Sequence, residues 1–192
     1  MTDTDGPLIV GFGGTTREAS STEQLLRGAL AACERAGGRT RLFDGPFLAR
    51  LPHYGPERSV RVSEATELID AIRSCQGVVI ASPGYHGCMS GLVKNAIDYL
   101  EDLRDDPAPY LSGRAVGCLA AAGGWQAANA ALMALRSAVH ALRAWPTPLG
   151  AAMNTNTISI GDDGRVDDPH VSAQLESIGA QVVGFARRGP VP

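Results

Sequence analysis

The sequence predicts a doubly wound α/β fold, a five-stranded parallel sheet with helices on both faces. Three observations carry the prediction. Five short apolar segments alternate with stretches that have the one-sided spacing of amphipathic helices, as in a right-handed parallel α/β chain. Leu8-Ile9-Val10-Gly11-Phe12 and Gly77-Val78-Val79-Ile80-Ala81 are apolar throughout, which suits strands buried on both faces. The last segment, residues 146–152, contains Pro146 and Pro148, which cannot donate to a central ladder and so belong at an edge.

The elements follow in order. Residues 7–13 form the first strand, closed by glycines. Leu25, Leu26, Ala29, Leu30 and Cys33 mark the inner stripe of a helix that Gly37-Gly38 ends. Residues 40–44 are a weaker second strand, and residues 47–60, with their prolines, glycine and charges, read as an exposed loop. Ser63 caps the next helix, Glu64 and Glu67 suit its positive end, Leu68, Ile69 and Ile72 face inward, and Arg73 sits in its last turn. Residues 77–81 form the third strand. Ser90 then caps a helix with Leu92, Val93, Ala96, Ile97 and Leu100 inward. Residues 115–120 are the fourth strand, 127–143 a helix and 146–152 the fifth strand. Asp168-Pro169 opens a final helix carrying Val171, Leu175, Ile178, Val182 and Phe185. Asp162-Asp163-Gly164 reads as the turn of a small hairpin before it. No repeat, low-complexity tract or long linker divides the chain, so residues 1–192 read as a single domain.

Composition narrows the function. With 17 Lys+Arg against 20 Asp+Glu and a net charge of −3, the chain has no basic excess for a phosphate backbone, so no nucleic-acid partner is expected. No apolar run reaches the roughly 18 residues of a membrane span, and residues 1–6 are polar and acidic rather than a signal peptide. A cytoplasmic location without membrane contact is the expectation. Cys33, Cys75, Cys88 and Cys118 form no Cys-x-x-Cys, and His53, His86, His140 and His170 have no metal-ligand spacing. Reduced thiols and no metal site are expected.

In an open parallel sheet of order 2-1-3-4-5, a ligand sits beyond the carboxyl ends of strands one and three, where the order reverses. Three loops meet that position: Gly13-Gly14-Thr15-Thr16-Arg17-Glu18-Ala19-Ser20-Ser21-Thr22, Ser82-Pro83-Gly84-Tyr85-His86-Gly87-Cys88 and Ala121-Ala122-Gly123-Gly124-Trp125. The first offers small residues, hydroxyls, one guanidinium and a helix N-terminus, the chemistry of an anion site. It lacks the Lys-Ser/Thr of a Walker loop, and Thr16 stands at the third glycine position after Gly11-x-Gly13, leaving a degraded dinucleotide fingerprint open. A plain capping box of Ser20 and Glu23 is the other reading, and the Glu23 carboxylate opposes a nearby phosphate. Arg17 with the hydroxyls of Thr15, Ser21 and Thr22 favours the anion.

Gly14-Thr15-Thr16-Arg17-Glu18-Ala19-Ser20 resembles the Gly-Ser-x-Arg-x-x-Ser loop of the NAD(P)H-dependent FMN reductase family. Residues 82–91 with Lys94-Asn95-Ala96-Ile97-Asp98-Tyr99 resemble its Thr-Pro-Glu-Tyr-Asn/His-Gly-Ser and Gly-x-x-Lys-Asn-Ala-x-Asp-Trp segment. The resemblance spans about residues 8–183. It implies a flavodoxin-like fold, with the FMN phosphate on Thr15, Arg17, Ser20, Ser21 and Thr22. The backbone of Pro83, Gly84, Tyr85, His86 and Gly87 would line the isoalloxazine, and Gly123 and Gly124 would approach it from the other side. Thr15 keeps the hydroxyl of the usual Ser, whereas Gly84 replaces a usual Glu. A homodimer or homotetramer is implied as well.

The implied activity is FMN-dependent oxidation of NADPH or NADH, with electrons passed to a small acceptor such as a quinone, an azo compound, a metal oxyanion or free flavin. Hydride transfer needs no acid or base side chain, so no catalytic residue is assigned. The alternatives are a flavodoxin-type electron carrier without catalysis, and a one-domain dinucleotide-binding enzyme using Gly11-x-Gly13. Cys88 precedes a helix but lacks the Cys-x₅-Arg loop of small tyrosine phosphatases, Lys94 standing at the Arg position, so it reads as a packed thiol. Residues 87–91 miss a hydrolase Gly-x-Ser-x-Gly elbow by one position. Trp125 reads either as a stacking residue or as a subunit contact, and Tyr110 and Trp145 read as packing residues.

Overall fold

The apolar runs pair as parallel strands. The computed structural model describes residues 6–17, 20–161 and 166–189. In chain order these form β1 (Leu8–Gly13), α1 (Ser21–Arg35), β2 (Arg39–Phe43), α2 (Gly45–Leu48), α3 (Ser63–Ser74), β3 (Gly77–Tyr85), β4 (Cys88–Met89), α4 (Gly91–Asp98), β5 (Ala115–Ala122), α5 (Trp125–Ala141), β6 (Trp145–Pro146), β7 (Ala151–Asn154) and α6 (Pro169–Ala186). A 3-10 turn, Tyr99–Leu103, extends α4. The sheet order is β2-β1-β3-β5, with β6 and β7 both parallel to β5 at the far edge. Read as one interrupted edge strand, β6 and β7 give the expected 2-1-3-4-5 order.

Strand alternation splits the core into two layers. Val10, Phe12, Val78, Ile80, Val116 and Cys118 pack against α3, α4 and α5 on one face. Ile9, Val79, Ala81, Leu119 and Met153 pack against α1 and α6 on the other. Each fully buried side chain of this size stabilises the fold by about 1.5–3 kcal/mol. Among the described residues no helix is long and apolar enough to cross a membrane.

Four expectations need correction. Residues 47–60 are not simply an exposed loop: Asp44 accepts a hydrogen bond from Phe47 N (2.8 Å) and caps the short helix α2, and Leu48 and Leu51 are buried. Val62, not Ser63, is the N-cap of α3; Ser63 is already helical, and its hydroxyl bonds the Glu64 carboxylate at 2.9 Å. The fifth strand breaks because Pro148 has no N–H to continue the ladder. Thr147 Oγ1 instead donates to Leu149 O (2.7 Å), and Arg136 Nη1 donates to Thr147 O (2.7 Å). Trp145 is half exposed rather than packed away, lying 6.2 Å from the Phe185 ring. The expected turn at Asp162-Asp163-Gly164 lies outside the described residues; Ile160 and Val166 on either side form an antiparallel bridge.

The segment between α2 and α3 is anchored by the Lys94–Tyr99 motif. Asn95 Oδ1 accepts from Tyr54 N (2.8 Å), and its Nδ2 donates to Pro52 O (2.9 Å). Tyr99 OH donates to Pro52 O at 3.0 Å, and Arg61 makes two 2.7 Å bonds to Asp102 while covering the Tyr54 and Tyr99 rings. Asn95→Ala removes an acceptor and a donor from backbone groups that are partly buried. We expect the unfolding free energy to fall by about 2 kcal/mol, read as a lowered urea midpoint at unchanged slope.

Candidate functional site

A crevice opens because neighbouring strands end at different heights. The β1–β3 ladder stops at Gly13↔Ala81, whereas β3 and β5 stay paired through Pro83↔Ala121. Pro83 therefore lies beyond the end of β1, where no partner on that side needs its missing N–H. The β1–α1 loop turns away here, with Gly13 at φ 147° and Gly14 at φ 109°, and Gly14 N donates to Ala81 O at 3.2 Å. This is the switch point at which the sequence placed a ligand.

The first loop ends in an open helix terminus. Ser20 Oγ accepts from Glu23 N (3.3 Å) and Ser20 O from Gln24 N (2.9 Å). The N–H groups of Ser21 and Thr22 have no protein acceptor among the described residues. Only half of a capping box forms, since the Glu23 carboxylate turns to Arg27, with contacts of 2.9 and 2.7 Å, instead of back to Ser20. That pairing answers the like-charge objection to an anion nearby. Thr15 is half-buried and its hydroxyl accepts from Arg17 N at 3.2 Å, while Arg17 is exposed with no ion pair among the described residues. Ser20 and Thr22 are buried, and the Ser20 hydroxyl is engaged with the Glu23 N–H. Glu18 and Ala19 of this loop lie outside the described residues.

Gly45, which the sequence reading passed over, braces this loop from the far side of β2. A Cβ on Gly45 would stand 1.8 Å from Thr15 O, and one on Gly14 would stand 3.1 Å from Gly45 N. Asp44-Gly45-Pro46, a cap residue followed by Gly-Pro, is the local signal that could have shown it.

The second loop is a strand and a tight turn. β3 runs on to Tyr85, and Tyr85↔Cys88 and Gly84↔Met89 pair across a two-residue hairpin. Both central residues have positive φ, His86 at 51° and Gly87 at 83°, as a type I′ turn requires. Ser82 holds the base of the hairpin, its Oγ accepting from Ser90 N (2.9 Å) and donating to Pro83 O (3.0 Å). Tyr85 is 53% exposed, so its ring is not packed into the core.

The third loop closes on the second. A Cβ on Gly84 would lie 2.8 Å from Ala127 O and 3.1 Å from Ala122 Cβ, so the bare glycine lets the first turn of α5 sit directly against β3. This gives a physical reason for glycine where the family pattern carries Glu. Gly123 O accepts from Asn156 Nδ2 at 2.5 Å, and Gly124 precedes α5 in extended conformation. The structure thus brings all three predicted loops to one end of the sheet, and adds Gly45 and Asn156 as supports.

The thiols divide sharply. Burial pushes Cys33 and Cys118 up to about 12 and Cys75 up to about 11, whereas Cys88 on the hairpin is exposed, contrary to the packed thiol expected. Brief treatment of the folded protein with iodoacetamide should add one carbamidomethyl group, at Cys88, with the other three modified only after unfolding; mass spectrometry of the digest checks this.

Residues 7–157 match the family described as NADPH-dependent FMN reductase. The chain belongs to that family. It is therefore an oxidoreductase that works with FMN and NADPH. An NADPH azoreductase from Bacillus sp. (strain OY1-2) is 28% identical over 159 residues, covering 76% of this chain and 86% of the relative. An FMN-dependent NADPH-azoreductase from Staphylococcus haemolyticus (strain JCSC1435) is 27% identical over 123 residues, covering 63% and 62%. Among solved structures, the flavoenzyme NAD(P)H:(acceptor) oxidoreductase FerB from Paracoccus denitrificans shares the fold, with TM-score 0.72, 17% identity, and coverage of 96% of this chain and 100% of that one. Family membership agrees with the resemblance read from the Gly14–Ser20 and Ser82–Tyr99 motifs.

Proposed function

We propose that the β1–α1 loop holds the phosphate of FMN, and that Pro83, Gly84, Tyr85, His86 and Gly87 with Gly123 and Gly124 hold its ring. The observation that carries this reading is the open N-terminus of α1, where the Ser21 and Thr22 N–H groups and the Arg17 guanidinium have no protein partner among the described residues while Glu23 is paired with Arg27. Backbone donors, the positive end of a 15-residue helix and a guanidinium together suit a dianion. Thr15 and Ser21 supply the hydroxyls that reach the surface.

Bound FMN supplies the chemistry, accepting hydride from NADPH and returning electrons to a second substrate. The chain binds and orients. Gly124, with open space at its Cβ position, and Gly123 admit a flat ring close to the main chain, and the Tyr85–Cys88 hairpin leaves one side of the crevice open for donor and acceptor in turn. No side chain needs to move a proton to or from NADPH. The acceptor in this reading is a small oxidised compound such as a quinone, an azo compound or free flavin. The exposed Tyr85 ring suits a homodimer, which light scattering would register as twice 20.0 kDa.

Loading the purified protein with FMN and adding NADPH without oxygen should bleach the flavin absorbance, and menadione should restore it through many cycles. Flavin that binds but is not bleached would instead favour the non-catalytic electron carrier.

A further inference from the structure

The end of β5 departs from regular strand geometry at one peptide. Along a strand, successive carbonyls point to opposite neighbours. Ala122 O accepts from Thr155 N (2.8 Å) on the β7 side, so a strand continuing through Gly123 would turn the next carbonyl toward β3 and the crevice. Gly123 O turns to the β7 side instead, where Asn156 Nδ2 donates to it at 2.5 Å.

The donor is itself held in place. Asn154 Oδ1 accepts from Asn156 N (3.0 Å), and Asn154 O accepts from Thr157 N and Ile158 N (3.1 Å each), closing the turn that carries Asn156. A Cβ on Gly123 would stand 3.5 Å from Asn156 Nδ2, so the amide also covers this side of the loop. Asn156 is exposed, and its reach to Gly123 spans 33 positions of sequence.

A planar trans peptide sends its C=O and the following N–H in opposite directions. With Gly123 O drawn toward β7, the Gly124 N–H is directed toward β3 and the crevice. Gly124 N has no protein acceptor among the described residues, the space at its Cβ position is open, and Gly124 starts α5 without a capping side chain.

We propose that Asn156 is a positioning residue: by fixing the Gly123–Gly124 peptide, it presents the Gly124 N–H, rather than a carbonyl oxygen, to the edge of the flavin ring. The inference rests on the FMN reading above and adds what sets the polarity of the third loop. A donor there favours the reduced ring. Reduction raises the negative charge on the ring's acceptor atoms, and a hydrogen bond to a charged acceptor is about twice as strong as one to a neutral acceptor.

Two substitutions at this exposed position test it. Asn156→Leu keeps the size of the side chain and removes the donor without adding charge, whereas Asn156→Gln keeps an amide on a longer arm. The two-electron midpoint potential of bound FMN is measured in each protein, with the affinity for oxidised FMN titrated in parallel. In Asn156→Leu the ratio of reduced to oxidised affinity should fall about five-fold, a potential lower by about 20 mV. Asn156→Gln should recover at least half of that shift. A residue that only braced the loop would weaken oxidised and reduced FMN alike and leave the potential unmoved; that result would overturn the proposal, as would a shift that Asn156→Gln does not reduce. Should Asn156→Leu hold no FMN, Asn156→Ala carries the same comparison. An unaltered protein that binds no FMN overturns the cofactor assignment and this proposal with it, whereas FMN bound at an unmoved potential overturns this proposal alone.

Discussion

Arg17→Ala should weaken FMN binding by roughly ten-fold or more, measured by flavin fluorescence quenching. Loss of one charged hydrogen-bonding partner costs about 1.5–3 kcal/mol, and the exposed guanidinium makes no ion pair among the described residues that would compensate or compete. The same exposure means that the unfolding midpoint without FMN should barely move, within about 0.5 kcal/mol. Arg17→Lys separates the roles of charge and geometry: the ammonium keeps the charge but not the planar fork, so affinity should recover only in part. The salt dependence of FMN binding should shrink in Arg17→Ala, because one of the charges facing the dianion is gone.

Gly45→Ala should act on both stability and binding. The new methyl would meet the Thr15 carbonyl oxygen at 1.8 Å, a backbone atom that cannot swing aside like the end of a side chain. Either α2 or the β1–α1 loop must shift. Overpacking of this kind costs about 1–3 kcal/mol, and the loop that shifts is the one proposed to hold phosphate. We expect a lower urea midpoint together with FMN affinity reduced at least about ten-fold. Gly87→Ala serves as the contrast. A Cβ there meets nothing within 4 Å, although φ 83° is unfavourable for alanine, so it should cost stability without crowding any neighbour.

Most of the sheet was legible because burial on both faces leaves a plain imprint. Ile9, Val79 and Leu119 fill one layer while Val10, Val78 and Cys118 fill the other, so no polar residue interrupts the runs. Helix starts marked by Ser20, Ser90 and Asp168 were equally plain, since each side chain accepts from the backbone of the first turn. The features missed depend on contacts distant in sequence. Gly45 matters through Thr15, thirty positions earlier, and Asn95 through Tyr54, 41 positions earlier. Ser63 misled because its hydroxyl found Glu64 beside it rather than the helix end. The extension of β3 was hidden by Pro83 and Gly84, two residues that usually end a strand, and is possible here because β1 has already turned away at Gly13. The His86-Gly87 turn was visible in kind, since a residue tolerant of positive φ followed by glycine suits a tight hairpin, but the Tyr85↔Cys88 pairing that shows it is a property of the folded chain.

The positions of the three loops also explain why substitution of a side chain in the second loop should matter less than substitution in the first. Pro83, Gly84 and Gly87 can offer a ring only main-chain groups and close approach, whereas the first loop offers charge. Binding energy for FMN is thus expected to concentrate at Arg17 and the α1 N-terminus, with ring placement set by the backbone of β3 and the Gly123-Gly124 turn.

A crystal structure of the protein with FMN is the most direct measurement of this arrangement. The phosphate should lie against the Ser21 and Thr22 N–H groups with the Arg17 guanidinium beside it, and the ring between the Pro83–Gly87 backbone and Gly123-Gly124. FMN seated elsewhere on the molecule, with the α1 terminus facing only solvent, would contradict it.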